Sequence, residues 1–440
     1  MPRARVAVVG AGVTGLTVAR RLLDAGCEVV VHEAGPIGGL AAGFEFPGVP
    51  ETYLEKFYHH IFRSDRRVVE LVTELGLGAD LVWRQSRTGL YGDGRLWPME
   101  TPLDLLRCRP VGGVLERLKM GFGMRSFQQT EAWEHLDAIS CEEFFRARGN
   151  LTGYRGLWEP LLKAKFGDAY GDIPAAFLWG RIHPRSRSRQ DGRESLGYLL
   201  RGFPRMTMAM AAELERRGAR LEVGSRVARV ERLDGGRGFR LEASGGVEPY
   251  DRIVWTGQPA DLARMLAPAE PELTARAASI RYIAACCLVL LLDRRLGEYY
   301  WINNLDPQTT FGGVIEHTNF VGTETYAGLH VAYVINYLDP GHPQLRLDAE
   351  ELFRFHLPSL RRLYPDFDPA NVERKFLFKS PAASPVYDCG YLRKMPPFVG
   401  WSPGIGLLGM PQVYPMDRNM NHCIEVAERA ELDRLLESTP

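Results

Sequence analysis

The chain opens on a glycine turn that constrains everything after it. Val6-Ala7-Val8-Val9 reads as a short buried strand and runs straight into Gly10-Ala11-Gly12-Val13-Thr14-Gly15. A helical stretch from Leu16 to Ala25 follows, then a turn at Gly26. A second apolar strand, Val29-Val30-Val31, ends at Glu33, eighteen residues beyond Gly15. Strand, glycine turn, helix and strand in this order are the context that gives G-x-G-x-x-G its meaning. The glycines let backbone amides approach a pyrophosphate at a helix N-terminus, where unpaired N–H groups and the helix dipole favour anions. Glu33 stands where a carboxylate accepts both hydroxyls of an adenosine ribose, and a negative charge there disfavours a 2′-phosphate. The turn predicts a dinucleotide other than NADP.

Bulk properties narrow the class. A length of 440 residues suggests about two to three domains. Hydrophobic content of 45% and charged content of 25% are those of an ordinary globular protein. Lys and Arg together number 54, as do Asp and Glu, so the net charge is zero. Such a balance predicts no nucleic-acid partner and no footprint for an anionic membrane. The first strand begins almost at Met1, which leaves no room for a secretory signal peptide. No apolar run approaches the ~20 residues a transmembrane helix needs. The seven cysteines show no C-x-x-C and no metal-ligand spacing. Cys286 and Cys287 lie inside the most apolar stretch, Ile283 to Leu292, and read as core. The expectation is a reduced, cytoplasmic enzyme without a structural metal, with its oligomeric state left open.

Periodicity organises the rest. A helix is predicted over 65–75, where Val68, Val69, Leu71, Val72 and Leu75 keep an apolar stripe. Residues 100–200 read as mainly helical and loop-like, with Trp133, Phe144-Phe145, Trp158 and Leu161-Leu162 as core candidates. A helix over 206–217 precedes strands at 220–223, 226–232 and 239–243, which form a small meander around Gly235-Gly236. Asp251 to Gly257 reads as a buried strand, 350–363 as a helix, 404–409 as a last strand, and 421–435 as a final helix. Dinucleotide-type elements therefore occur at both ends and in the middle. The expected partition is 1–75, 205–270 and 395–440 for a cofactor domain, and 76–204 and 271–394 for a substrate domain.

A second glycine pair, Gly38-Gly39, separates the candidate cofactors. A nicotinamide dinucleotide has no need of it, whereas a flavin dinucleotide extends past the first unit. With Gly10 to Gly15, Glu33-Ala34-Gly35 and Gly38-Gly39, the chain resembles the flavoprotein group of amine oxidases, protoporphyrinogen oxidase, carotenoid desaturases and UDP-galactopyranose mutase. Arg226-Val227-Ala228-Arg229-Val230 looks like that group's adenine-side strand, and Val254-Trp255-Thr256-Gly257 its mid-chain motif. Gly409 to Asn421 is similar to its closing flavin segment, with Asn419 where the group often carries Gly; Asn tolerates a positive φ.

The resemblance implies an α/β fold: a discontinuous Rossmann-type FAD domain of the glutathione-reductase type, joined to a second α+β substrate domain. It implies non-covalent FAD held by Gly10, Gly12, Val13, Thr14, Gly15, Glu33, Ala34, Gly38, Gly39, Leu40, Val227, Gly409, Asp417, Met420 and Asn421. Read without the resemblance, Val227 is an ordinary alternating-strand residue and Asp417 a helix N-cap.

Two stretches are most similar to UDP-galactopyranose mutase, Tyr58 to Asp65 and Phe311 to Phe320. In the second, Gly313 stands where the mutase has a phosphate-binding arginine, and Arg185 matches a second such arginine. The expected reaction-side residues are Tyr58, His60 and Arg185, with His60 open to the alternative of capping a buried turn. Lys379 invites comparison with the amine oxidase lysine, against a solvated strand end. Tyr387 and Tyr391 read either as cleft lining or as core rim. The implied activity is an FAD-dependent oxidoreductase removing a hydride from a small organic, anionic or sugar-linked substrate. The alternative is a redox-neutral, flavin-dependent sugar isomerase of the mutase type.

Overall fold

The computed structural model describes residues 3–186, 189–190, 193–233, 238–266 and 271–437. Its first unit is β1 (Arg5–Val9), α1 (Val13–Asp24) and β2 (Glu28–Glu33). Around it lies a five-stranded, all-parallel sheet in the order Arg220–Val223, β2, β1, Arg252–Trp255, Ile405–Leu407. The strands are short apolar runs because both faces are covered. Val6, Val8, Val29 and Val31 pack beneath α1 and the helices Pro204–Arg216 and Met420–Arg429. Ala7, Val9, Val30 and Ile253 face the other way, against the antiparallel meander of Val227–Arg232, Phe239–Ala243 and Gly246–Tyr250 and the helix Pro259–Leu266.

A second, seven-stranded sheet runs Val372–Pro385, Tyr282–Leu292, His330–Leu338, Gly313–Glu316, Trp301–Asn304, Thr88–Gly92, Arg95–Pro98. Its Tyr282–Leu292 strand is apolar throughout because each face meets a different core. Leu288, Leu290 and Leu292 pack on the helix Ala349–Leu363, while Cys287, Val289 and Leu291 face the first sheet's core with Tyr333 and Ile335. Cys286 and Cys287 are buried, and every cysteine is a free thiol. Between residues 102 and 186, five α-helices pack around Phe127, Phe144, Phe145 and Tyr154. Phe144, Phe145 and Leu162 are core as expected, whereas Trp133, Trp158 and Leu161 sit at its edge.

Three features depart from the sequence reading. Arg220–Val223 joins the parallel sheet beside β2 and not the meander, whose Gly235-Gly236 turn lies outside the described residues. The final helix is broken into Met420–Arg429 and Leu432–Glu437. Arg21 on α1 donates to the Ala427 and Ala430 carbonyls, at 2.7 and 2.8 Å, and so satisfies the end of the first piece without a glycine. A small sheet also joins Ile61–Phe62 to Arg193–Leu199 and on to Leu81–Gln85. Its ladder crosses the boundary expected at residue 75, so that region is pinned from both sides.

Candidate functional site

The glycine turn works through clearance. Gly10 has φ +106°, and a Cβ there would lie 2.4 Å from Thr256 Oγ1. At Gly15 a Cβ would stand 1.9 Å from the Gly10 carbonyl oxygen, so α1 closes directly onto the turn. Gly12 differs: its nearest neighbour is Gly39 Cα at 3.9 Å, which leaves open space in front of the helix start. Gly38, with φ +111°, donates its N–H to the Ala11 carbonyl at 2.8 Å and bridges Gly12. The two glycine turns thus form one cradle. Thr256 locks it from the mid-chain strand by donating to the Val9 carbonyl at 2.8 Å.

Glu33 closes the cradle. Its carboxylate accepts from the Ala11 and Gly35 amides, each at 2.7 Å, which ties the ends of both turns together. Val13 and Thr14 are buried in the first turn of α1, while Ala34 and Gly39 are exposed and Leu40 is half-buried at the rim. Val227 is buried at the start of the meander, just after Ser225, whose amide donates to the Glu33 carbonyl oxygen at 2.8 Å.

The C-terminal segment reaches this cradle on the back of a helix. Gly180, in the helix Ala175–Ser186, leaves room for Pro415: a Cβ would meet its carbonyl at 1.9 Å. That approach sets Arg181 beside Asp417 at 2.7 Å, with Lys165 at 3.8 Å. Asp417 is therefore an ion-pair partner and not a helix cap. The cap is Asn419, whose side chain accepts from His422 N–H at 2.8 Å. Asn419 has φ −130°, so the positive-φ account of this position is corrected: it is extended backbone that any residue adopts. The Asn421 side chain also has a structural partner. Its buried side-chain oxygen accepts from the Arg67 and Val68 amides at 2.9 and 3.3 Å, capping the helix Arg66–Glu74. Met420 packs into the core beside it, and Gly409 is buried next to the Thr256 carbonyl.

Tyr387 and Tyr391 donate to the Met410 and Pro411 carbonyls at 3.0 and 3.2 Å, so they hold this segment in place and do not line a cleft. Lys379 is exposed and donates to the Leu347 carbonyl, which fits the solvated reading, but it lies in the middle of the strand Val372–Pro385 and not at its end.

On the facing side, the second sheet presents aromatic groups. Tyr58 meets the Trp301 ring edge-on at 4.6 Å, and its hydroxyl lies 3.3 Å from that of Tyr337. Burial, then the neighbouring Tyr337, pushes the Tyr58 hydroxyl far above its ordinary pKa, so it stays protonated. Arg418 donates to Tyr337 Oη at 2.8 Å and continues the chain of contacts. Burial lowers the Arg418 pKa, but Tyr337, Asp417 and Tyr58 outweigh it and keep the guanidinium charged. The Arg418 Nε is buried and bonded to no described atom. His59 lies on the same side, with its pKa lowered to about 4 by burial and then by Arg418 opposing the Phe57 carbonyl bond, so it is neutral at pH 7. His60 turns instead to Tyr300, its Nδ1 lying 3.0 Å from that hydroxyl, between the rings of Phe62 and Trp301. The backbone of Arg185 is in the helix Ala175–Ser186, but its side chain lies outside the described residues.

Arg418 was missed by the sequence reading, which named Asp417, Met420 and Asn421 on either side of it. An arginine beside Asp417, in a run from 395 to 421 that holds no other charged residue, was the available signal. At Gly313 the outcome is sharper than the sequence implied. A Cβ there would lie 2.6 Å from the Ile302 carbonyl, so the position has no space for the side chain that the mutase resemblance looks for.

A glycine cradle on a parallel sheet, faced by a separate sheet with an aromatic surface and by the buried Arg418 of the C-terminal segment, is an architecture that suits a flavin dinucleotide. The chain belongs to the flavin containing amine oxidoreductase family, whose model matches residues 13–383. FAD is the cofactor of that family. Over 248 residues the chain is 26% identical to a Mycobacterium tuberculosis protein named as a flavin-containing monoamine oxidase, an alignment taking in 52% of each. It thus spans about half the length of the curated relatives it matches. An Exiguobacterium structure named as a protoporphyrinogen oxidase superposes with TM-score 0.76 at 18% identity, covering 100% of both chains. Reduced UDP-galactopyranose mutase superposes with TM-score 0.75 at 15% identity, over 98% of this chain and 95% of that one. At these identities the likeness is one of fold.

Proposed function

We propose that the protein removes a hydride from a small organic substrate, from a C–H next to nitrogen or oxygen or in a C–C desaturation. The substrate presents an anionic or carbonyl group to Arg418. In this reading the amides of Gly12, Val13 and Thr14 at the start of α1 hold the pyrophosphate, with Gly10 and Gly15 giving the clearance. Gly38, Gly39 and Leu40 flank its course. Glu33 and Ala34 take the ribose; each carboxylate oxygen accepts one amide and keeps a further lone pair for a hydroxyl. Val227 borders the adenine. Gly409, Asp417 and the helix start at Met420 and Asn421 serve the flavin end. When bound there, non-covalent FAD supplies the hydride acceptor.

The protein's own groups then bind, orient and exclude water. Arg418 carries the reading, because a buried guanidinium with an unbonded Nε is costly unless an acceptor meets it. Tyr58 and Trp301 offer an apolar wall for the substrate body, and the protonated Tyr58 and Tyr337 hydroxyls orient it. His60 sets the polarity beside Trp301. The helix position of Arg185 keeps it a candidate for a second anionic contact. Gly313 counts against the redox-neutral sugar isomerase, since its lack of side-chain space forbids that enzyme's phosphate clamp.

An anaerobic screen over amines, sugar nucleotides and polyprenoids tests this. A substrate that bleaches the oxidised flavin spectrum without added reductant supports it. Turnover that requires prior reduction and leaves no net electron transfer sinks it. Arg418→Met should raise KM by about tenfold or more for an anionic substrate, the loss of roughly 1.5–3 kcal/mol for a charged hydrogen bond.

A further inference from the structure

We infer that the outward face of the helix Val114–Gln129 docks the protein onto an anionic lipid bilayer. A surface helix normally turns polar residues to water. This one buries Met120, Gly123 and Phe127, with the Phe127 ring stacked on Phe144 at 4.2 Å, yet its opposite face is apolar as well. Val114, Leu115, Leu118 and Phe122 follow one stripe along the helix and are 65%, 58%, 42% and 72% exposed. Leu103 and Leu106, on the preceding short helix Pro102–Arg107, extend the stripe at 51% and 38% exposed. The two helices are joined where Arg117 donates to the Leu106 carbonyl at 2.7 Å. Six of the ten exposed large hydrophobic residues described thus lie between residues 103 and 122, whereas the other four are scattered, so this is a patch and not background.

Charge selects the occupant. Residues 102–129 hold five basic groups (Arg107, Arg109, Arg117, Lys119, Arg125) against two acidic ones (Asp104, Glu116), a local excess of three that chain-wide neutrality conceals. Asp104 is spent on a capping box with Thr101, while Arg107, Arg109 and Arg125 are exposed around the apolar stripe. Apolar side chains at acyl depth with arginines reaching headgroup phosphates are the arrangement of an interfacial helix. A second copy of the chain fits less well, because a twofold contact would set these arginines against their own images. Among the described residues no helix is long and apolar enough to cross a membrane, so the contact is one of lying on the surface. The helix is also near the site: Trp179 and His183 reach its end at Thr130 and Phe127, on the helix that carries Arg181 to Asp417.

Co-sedimentation of the full chain with phosphatidylcholine vesicles containing phosphatidylglycerol tests the proposal. Wild type should pellet with these vesicles and be released by high salt. Pure phosphatidylcholine should bind it more weakly, since each arginine contributes about fivefold near an anionic surface. A Leu118→Glu/Phe122→Glu variant should lose at least about tenfold in partitioning, with flavin content and melting temperature unchanged as evidence of folding. Wild type that stays in the supernatant overturns the proposal, as does undiminished binding of a folded variant. So does a wild-type dimer that the variant converts to monomer, which would assign the face to a second copy. None of these outcomes depends on the substrate.

Discussion

Gly12 and Gly15 stand three residues apart in one turn, yet a side chain would meet opposite conditions at them. Gly15→Ala drives a Cβ into the Gly10 carbonyl at 1.9 Å and should destabilise the fold by about 3 kcal/mol or more, read as a lowered denaturant midpoint. Gly12→Val meets only Gly39 Cα, at 3.9 Å for its Cβ, so the apoprotein should fold normally but retain little flavin. Equal effects of the two changes on stability would undo this division of roles. Glu55 supplies a pH signature. It is buried, accepts from the Phe203 amide at 2.7 Å and from the Tyr198 hydroxyl, and burial raises its pKa from 4.5 to about 7 against those bonds. Between these values the folded protein holds a proton that the unfolded chain has released, so stability falls as pH rises through the window. The full effect is about 3 kcal/mol. Glu316 is raised in the same direction, so the Glu55 share is read by difference: Glu55→Gln should be less sensitive to pH than wild type in melts between pH 5 and 8. An identical profile would contradict the assignment.

At the scale of elements, the strands and helices with strong periodicity were readable from residue order, because their burial is decided locally. The Val68–Leu71–Val72 stripe becomes the helix Arg66–Glu74, and the 349–363 helix carries its own capping box at Asp348 and Glu351. What residue order hid were partners supplied from elsewhere in the chain. Arg21 ends a helix more than 400 residues away, and Asn421 caps one that starts at Arg66. Asn421→Ala should therefore cost about 1–2 kcal/mol through that cap, visible in thermal melts of the apoprotein. A variant that melts like wild type would contradict the cap. The cradle was legible because its glycines have a fixed spacing. Arg418 was not, since the burial of its Nε and its contact with Tyr337 arise from the packing of segments distant in sequence.

At the scale of the molecule, β1 and β2 lie next to strands from near residues 220, 252 and 405, so one parallel sheet gathers four distant stretches of chain. The second sheet brings Trp301, Tyr337 and the Tyr58 segment together opposite the C-terminal segment that carries Arg418. In the proposed reading binding and chemistry are divided: glycines and helix starts would hold the cofactor, while aromatic groups of the other sheet and Arg418 of the C-terminal segment would meet the substrate. The most direct measurement of this account is an anaerobic titration of the flavin-loaded protein with the substrate found by screening. One equivalent of oxidised product is expected for each equivalent of flavin bleached, with colour restored when an electron acceptor is admitted. Conversion of the substrate while the oxidised flavin spectrum stays unchanged would contradict it.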